Sequence, residues 1–248
     1  MSSFSFLRST STCRLRSLSQ QLSYSTMASN KPIMLYTLGT PNGRKISIFL
    51  EELKANYGLE YEVQKIDFSK NEQKEPWFIQ LNPNGRIPTI VDRSRDNHTV
   101  FETGAILQYL AKFYDKEKKF SFDPATEWKE DSEVTQWMFW ANGGLGPMMG
   151  QAGWFIRARN NAAIGAVPIA EERYIEETKR LFGVLEIRLK DHEYLVGEKY
   201  SIADMNAYPW VHGHPFCGVE SLDAWPALKR WHDKLAERES VKAGYTWP

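Results

Sequence analysis

The chain has 248 residues, 42% of them apolar and 13% aromatic, with no formal net charge. That length holds one large domain or two modest ones, with enough apolar material for a real core. The neutral balance argues against nucleic acid or an anionic membrane as partner, and no apolar run approaches the roughly 18 residues of a membrane span. Two cysteines, Cys13 and Cys217, are too few for a disulfide framework, so a reducing compartment is expected.

Residues 1–29 differ from the rest. They are rich in serine, carry Arg8, Arg14 and Arg16, and contain no acid. Phe4, Leu7, Leu15 and Leu18 would share one face of a helix. This is the composition of an organelle transit peptide, which predicts a mitochondrial protein. The other reading is a disordered tail, bypassed by translation from Met27, which predicts a cytoplasmic one. Cys13 lies in this segment.

Residues 32–38, "PIMLYTL", form a strand-like run. Ile46, Phe49, Leu50 and Leu53 then recur at helical spacing, with Asn42 placed to be the N-cap and Gly58 to be the stop. Residues 61–68 alternate like a half-buried strand. "EPWFIQLNPNG" reads as a short helix and a turn. "PTIVD" and "HTVF" are short strands joined by a polar hairpin turn over residues 93–97. "ETGAILQYLAKFY" is an amphipathic helix with Ile106, Leu107, Leu110 and Phe113 inward. The order predicts an α/β unit with a mixed sheet over residues 30–117. A polar linker follows at 118–126, and residues 127–248 read as all-helical. The helices expected there are 128–140 with a glycine-broken continuation to 159, 168–191, one from Ser201, and a last one around 226–238.

Several short stretches could carry chemistry. "GTPNGRKIS" invites comparison with a phosphate-binding loop, but only three residues separate Gly39 from Gly43 and Arg44 follows, so the pattern fails. The turn 40–43 contains no cysteine, serine, histidine or acid. It does open a helix, where unpaired N–H groups and partial positive charge collect. Pro88 sits immediately before a strand, where its missing donor is tolerated; a cis bond to Ile87 is the alternative. Glu102 and Thr103 open a helix, with Thr103 either an N-cap or, with Glu102, part of a site for a ligand bearing an ammonium and a carboxylate. Ser201 and Asp204 form a capping box. His212, His214 and Cys217 lack a fourth ligand at metal spacing, so a structural role is expected. Trp140, Trp154 and Phe155 are candidates to line an apolar pocket. Arg173 has Glu176 and Glu177 at i+3 and i+4, which suggests a surface ion pair.

Taken in order, "TPNGRKISIFLEEL", "NPNGRIPTIVD", "FETGAILQYLAKFY", "QWMFWANGGLGPMMGQ", "ERYIEETKRLFGVLEIRL" and "YLVGEKYSIADMNAYPWV" resemble the glutathione transferases over almost all of residues 33–247. Within them they resemble the nu-class subgroup of glutathione-dependent disulfide-bond oxidoreductases, which includes relatives of a yeast nitrogen-catabolite regulator. The resemblance implies a thioredoxin-like first domain and a helical second one. It implies that Thr40 and Asn42 donate hydrogen bonds to the sulfur of glutathione, favouring thiolate over thiol. Ile87 would pair its backbone with the cysteinyl unit, Glu102 and Thr103 would hold the γ-glutamyl end, and Gln73 and Arg86 would contact the rest of the tripeptide. Arg173 would reach the neighbouring subunit's site, making the active unit a homodimer. The activity implied is reduction of disulfides or peroxides with two glutathiones as cosubstrate, without a metal and with conjugation as a side activity. A glutathione-binding regulator or ligand carrier with little catalysis is the alternative.

Overall fold

The computed structural model describes residues 31–247; the transit-peptide-like segment, with Cys13, lies outside the described residues. Strand β1 (Ile33–Thr37) leads into helix α1 (Pro41–Tyr57). Thr40, not Asn42, is the N-cap of α1. Its backbone is extended and its Oγ1 accepts from Gly43 N–H at 3.2 Å. The reason is Pro41: a proline lacks the N–H that would be orphaned at the first helical position, and its φ is already helical. The start therefore moves back, and Asn42 falls inside the first turn with its side chain released from capping. Gly58 ends α1 in the left-handed conformation, as expected.

Strand β2 (Tyr61–Lys65) is shorter than its alternating pattern, because Asp67 accepts from Ser69 N–H and starts a 3₁₀ turn. Helix α2 (Pro76–Leu81), strands β3 (Thr89–Asp92) and β4 (His98–Phe101), and helix α3 (Thr103–Tyr114) follow. The sheet order is β2-β1-β3-β4, with β1 and β2 parallel and the other two pairs antiparallel. Leu35 pairs with Val63 on one side and Ile90 on the other. This is a thioredoxin-like sheet. The Ile87–Pro88 bond just before β3 is cis.

The second half is helical: α4 (Trp128–Trp140), α5 (Gly146–Ala158), α6 (Pro168–Lys190), α7 (Ile202–His212), α8 (Pro226–Ala236) and a short α9 (Glu239–Gly244). The pattern around residues 226–238 contained no hint of α9. Helices α4 and α5 are not broken by their glycines. A single wide turn of π-helix, Ala141–Leu145, joins them. The capping box forms: Asp204 accepts from Ser201 N–H at 3.0 Å, and Ser201 Oγ from Ala203 N–H at 3.3 Å. A cap of this kind contributes about 1 kcal/mol. Phe113 is only half-buried, with the Arg95 guanidinium over its ring at 4.0 Å.

The two halves pack through α1, which contacts α3 on one side and α7 and α9 on the other. Ile46, Phe49, Leu50 and Leu53 of α1 are fully buried. The buried Glu52 carboxylate accepts from Arg238 at 2.7 Å and from Ser240. Nearer the N-terminus of α1, Arg44 and Ser47 donate to the Gly244 carbonyl at 3.0 and 2.8 Å, which fastens that end at the junction. Among the described residues, no helix is long and apolar enough to cross a membrane.

Candidate functional site

A cleft of about 960 Å³ opens at that junction, near the upper end of the range for small-molecule sites. Asn42 and Lys45 of α1, the 82–88 loop, Glu102 and Thr103 line the first half's wall. Asn142 of the π-turn, Gln151, Trp154 and Phe155 of α5, and Trp210 of α7 line the other.

Asn42 is fixed from across the cleft. Trp210 Nε1 lies 3.2 Å from Asn42 Oδ1. An indole N–H can only donate, so the oxygen of the amide must face Trp210, and the NH₂ is turned away from it. Trp210 reaches this position because Gly146 has no side chain: a Cβ there would stand 2.8 Å from Nε1. Thr40 does not line the cleft. Its oxygen accepts in the cap, and its hydroxyl hydrogen stays available beside Asn42.

The 82–88 loop is organised by the buried Asn82. Its amide donates to the Arg86 carbonyl at 2.7 Å and to Thr89 Oγ1 at 3.1 Å, while its oxygen accepts from Asn84 N–H at 3.0 Å. Ile87 and Pro88 are thus presented to the cleft with Arg86 beside them. Gln73 does not line it. Its Nε2 donates to Asn71 at 3.0 Å, and its Oε1 is buried with no partner.

Glu102, not Thr103, takes the N-cap position of α3, with φ 69° and ψ 122° and no side-chain capping bond. A non-glycine residue in that region is strained; strain of this kind persists where the surroundings over-determine it and clusters at ligand sites. Glu102 lines the cleft, and with Glu102 at the cap position the Thr103 hydroxyl is free from capping. Thr103 Oγ1 instead accepts from Lys45 Nζ at 3.3 Å. Lys45 Nζ also donates to Asn142 Oδ1 at 3.0 Å. Gly104 makes room for this contact, since a Cβ there would lie 2.7 Å from the Asn142 amide nitrogen.

The expected site residues therefore separate. Asn42, Arg86, Ile87, Glu102 and Thr103 converge on one cleft. Thr40, Gln73 and Arg173 do not line it. Arg173 is exposed on α6, and its expected ion pair is not formed: Glu176 pairs with Lys179 and Glu177 with Arg180. Trp154 and Phe155 line the cleft, but Trp140 does not; it belongs to a smaller hollow with Trp137 and Arg188. Lys45, Asn82, Asn142 and Trp210 escaped the sequence reading. Nothing in the local pattern around Lys45 marks it as buried. Asn142 sits in a glycine-rich run whose π geometry no simple period reveals.

Cys217 is buried behind α5, donating to the Met149 carbonyl at 3.2 Å. Burial pushes its thiol up to about 11. His212 stacks on His232 with ring centroids 5.3 Å apart, and His214 meets the Val219 carbonyl. Among the described residues, no group of three or more His, Cys, Asp or Glu is arranged to hold a metal ion.

A thioredoxin-like half whose first helix opens on hydrogen-bond donors rather than cysteines faces a helical half across a cleft of small-molecule size. The comparisons make this specific. The models for the glutathione S-transferase N-terminal domain and C-terminal domain match residues 31–112 and 169–239. The disulfide-bond oxidoreductase YfcG of Escherichia coli is 42% identical over 213 residues, covering 84% of this chain and 92% of its own. A glutathione transferase homologue from Lodderomyces elongisporus, solved with two GSH per subunit, is 44% identical with a TM-score of 0.79, over 87% of this chain and 98% of its own. The transferase URE2P6 from Phanerochaete chrysosporium, in complex with oxidized glutathione, is 41% identical with a TM-score of 0.79, over 88% and 96%. The chain belongs to the glutathione transferase family, within the subgroup that contains the disulfide-bond oxidoreductases.

Proposed function

We propose that the protein binds glutathione in this cleft and uses it to reduce disulfides or peroxides. The observation that carries the reading is the turn at residues 40–42: it opens a helix, presents the Asn42 amide to the cleft, and has no protein thiol beside it. The sulfur must then come from the cosubstrate. Hydrogen-bond donors and a helix N-terminus stabilise a thiolate there without exchanging a proton. The charges agree. Three charged residues line the cleft, the cations Lys45 and Arg86 and the anion Glu102, which complement a ligand carrying two carboxylates and one ammonium.

In the reaction, one glutathione thiolate attacks a sulfur of the substrate disulfide, expelling a thiolate and leaving a mixed disulfide. A second glutathione attacks the glutathione sulfur of that mixed disulfide. The substrate leaves as two thiols and the two glutathiones as one disulfide, so both electrons come from glutathione. With a hydroperoxide, the first thiolate attacks the outer oxygen, and the oxygen–oxygen bond breaks to release an alcohol (water from hydrogen peroxide). The resulting glutathione sulfenic acid is attacked by the second glutathione, which releases water and forms the same disulfide. The Asn42 amide holds the first thiolate from the cleft wall; Trp154 and Phe155 offer an apolar wall to the second substrate.

The active unit in this reading is a homodimer in which Arg173 reaches the neighbouring subunit's cleft. Its exposure and its lack of an ion pair among the described residues support that assignment. The mitochondrial location rests on the composition of residues 1–29. Steady-state reduction of hydroxyethyl disulfide by glutathione, beside peroxide reduction and conjugation of a chlorodinitrobenzene, tests the function. Disulfide or peroxide turnover well above conjugation is expected. Tight glutathione binding with no turnover of any of the three would favour the regulator or carrier instead.

A further inference from the structure

Lys45 is 1% exposed and lies at the bottom of the cleft. Its ammonium has two neutral acceptors, Thr103 Oγ1 at 3.3 Å and Asn142 Oδ1 at 3.0 Å, and among the described residues no carboxylate stands within ion-pair distance. A buried charge without a counter-charge is costly and is seldom retained without a role. Among the described residues, no element around the cleft supplies a carboxylate partner for it. Helix α3 offers Glu102, whose field acts on Lys45 without direct contact. The π-turn offers neutral Asn142, α7 neutral Trp210, α5 neutral Gln151, and the 82–88 loop the cation Arg86. Burial lowers the pKa of the lysine to about 7, and the field of Glu102 offsets only part of that.

The hydrogen bonds show where that anion belongs. Thr103 Oγ1 accepts a hydrogen bond from Lys45, so its own hydroxyl hydrogen points elsewhere. Its one acceptor among the described residues is Asn142 Oδ1, at a long 3.4 Å, an oxygen it shares with the shorter bond from Lys45. An anionic oxygen arriving at the start of α3 would meet the Thr103 hydroxyl, the N–H groups of the first helical turn and the third hydrogen of the Lys45 ammonium. Glu102, one residue earlier, would meet a cation on the same ligand unit.

Building on the glutathione reading above, we propose that Lys45 is the buried counter-charge for the α-carboxylate of the γ-glutamyl unit, acting directly and through Thr103. It makes the cleft selective for ligands bearing an amino-acid end rather than a simple amine. Asn142 supports it from the helical half, which ties recognition of that end to the packing of the two halves.

The test compares two ligands by calorimetry with the full-length protein: glutathione, and its analogue 4-aminobutyryl-cysteinyl-glycine, which lacks only that carboxylate. Wild type is expected to bind glutathione roughly ten- to a hundredfold more tightly than the analogue, the range of a charge-assisted contact. Lys45→Met should weaken glutathione by a similar factor and leave the analogue within about twofold, so the preference disappears. Lys45→Arg should restore part of it. If Lys45→Met does not fold, Lys45→Gln carries the same comparison. A variant that weakens both ligands equally, or neither, overturns the assignment while leaving the glutathione reading intact. Wild type that binds neither ligand overturns both.

Discussion

Trp210 donates its indole N–H to Asn42 Oδ1 at 3.2 Å across the junction of the two halves. One hydrogen bond thus decides which end of the Asn42 amide faces the ligand, because the donor-only indole accepts no other orientation. The residue that would act on the sulfur comes from α1, and the residue that orients it comes from α7, 168 positions later.

Asn42→Ala removes the amide donor and should lower the disulfide-reductase rate by about 10²-fold, as for other lost oxyanion donors, less if the site is wet. Trp210→Phe keeps the ring and removes one neutral hydrogen bond, so a loss of about three- to tenfold is expected. Added to Asn42→Ala, Trp210→Phe should cost nothing more. Additive losses in the double variant would show that Trp210 does not act through Asn42. Gly146→Ala should behave like Trp210→Phe, since its Cβ would stand 2.8 Å from the indole nitrogen.

Cys217→Ser should retain the full rate. The thiol is buried, bonded to a carbonyl and shifted up to about 11, so little thiolate exists at neutral pH. In a Cys13→Ser background, alkylation should be slow in the folded protein and fast in denaturant. Rapid alkylation under native conditions, or a lost rate in a folded Cys217→Ser variant, would place the nucleophile on the protein rather than on glutathione.

Lys45 predicts a pH dependence of stability. Burial lowers its pKa from 10.5 to about 7 in the folded protein. Between those values the unfolded chain binds the proton and the folded one releases it, so this residue adds stability as pH rises from about 7 toward 10.5. Below about 7 the ammonium is carried into the fold at a cost. Denaturant titrations across that range should show a shallower rise for Lys45→Met than for wild type. Parallel curves would mean that Lys45 titrates near its ordinary value.

Arg173 separates the dimeric reading from a surface role. Its helical acids are already paired with Lys179 and Arg180, so Arg173→Ala should barely change thermal stability. If its guanidinium grips a glutathione carboxylate in the partner subunit, Arg173→Ala should weaken binding roughly ten- to a hundredfold. Arg173→Lys should recover only part, because it keeps the charge and loses the fork. Equal calorimetric affinities for all three proteins would return Arg173 to the helix surface.

Local rules in the chain determined the order of its elements. Apolar periodicity marked α1, α3 and the strands β3 and β4; Gly58 and the Ser201–Asp204 box marked helix ends. The resemblance carried by the quoted blocks placed Thr40, Asn42, Gln73, Arg86, Ile87, Glu102, Thr103 and Arg173 at the site, and of these Asn42, Arg86, Ile87, Glu102 and Thr103 line one cleft. Only the tertiary structure decided what each side chain is free to do. Pro41 moves the cap to Thr40 and releases Asn42; a positive φ at Glu102 releases Thr103; a π-turn swings Asn142 toward Lys45. Trp210, Asn142 and Lys45 had no legible signal, because their roles depend on contacts between segments about 40 to 170 residues apart, and periodicity reports only which face of an element is apolar. The cost of burying a charge and the direction of a donor are set by the neighbours that folding brings together.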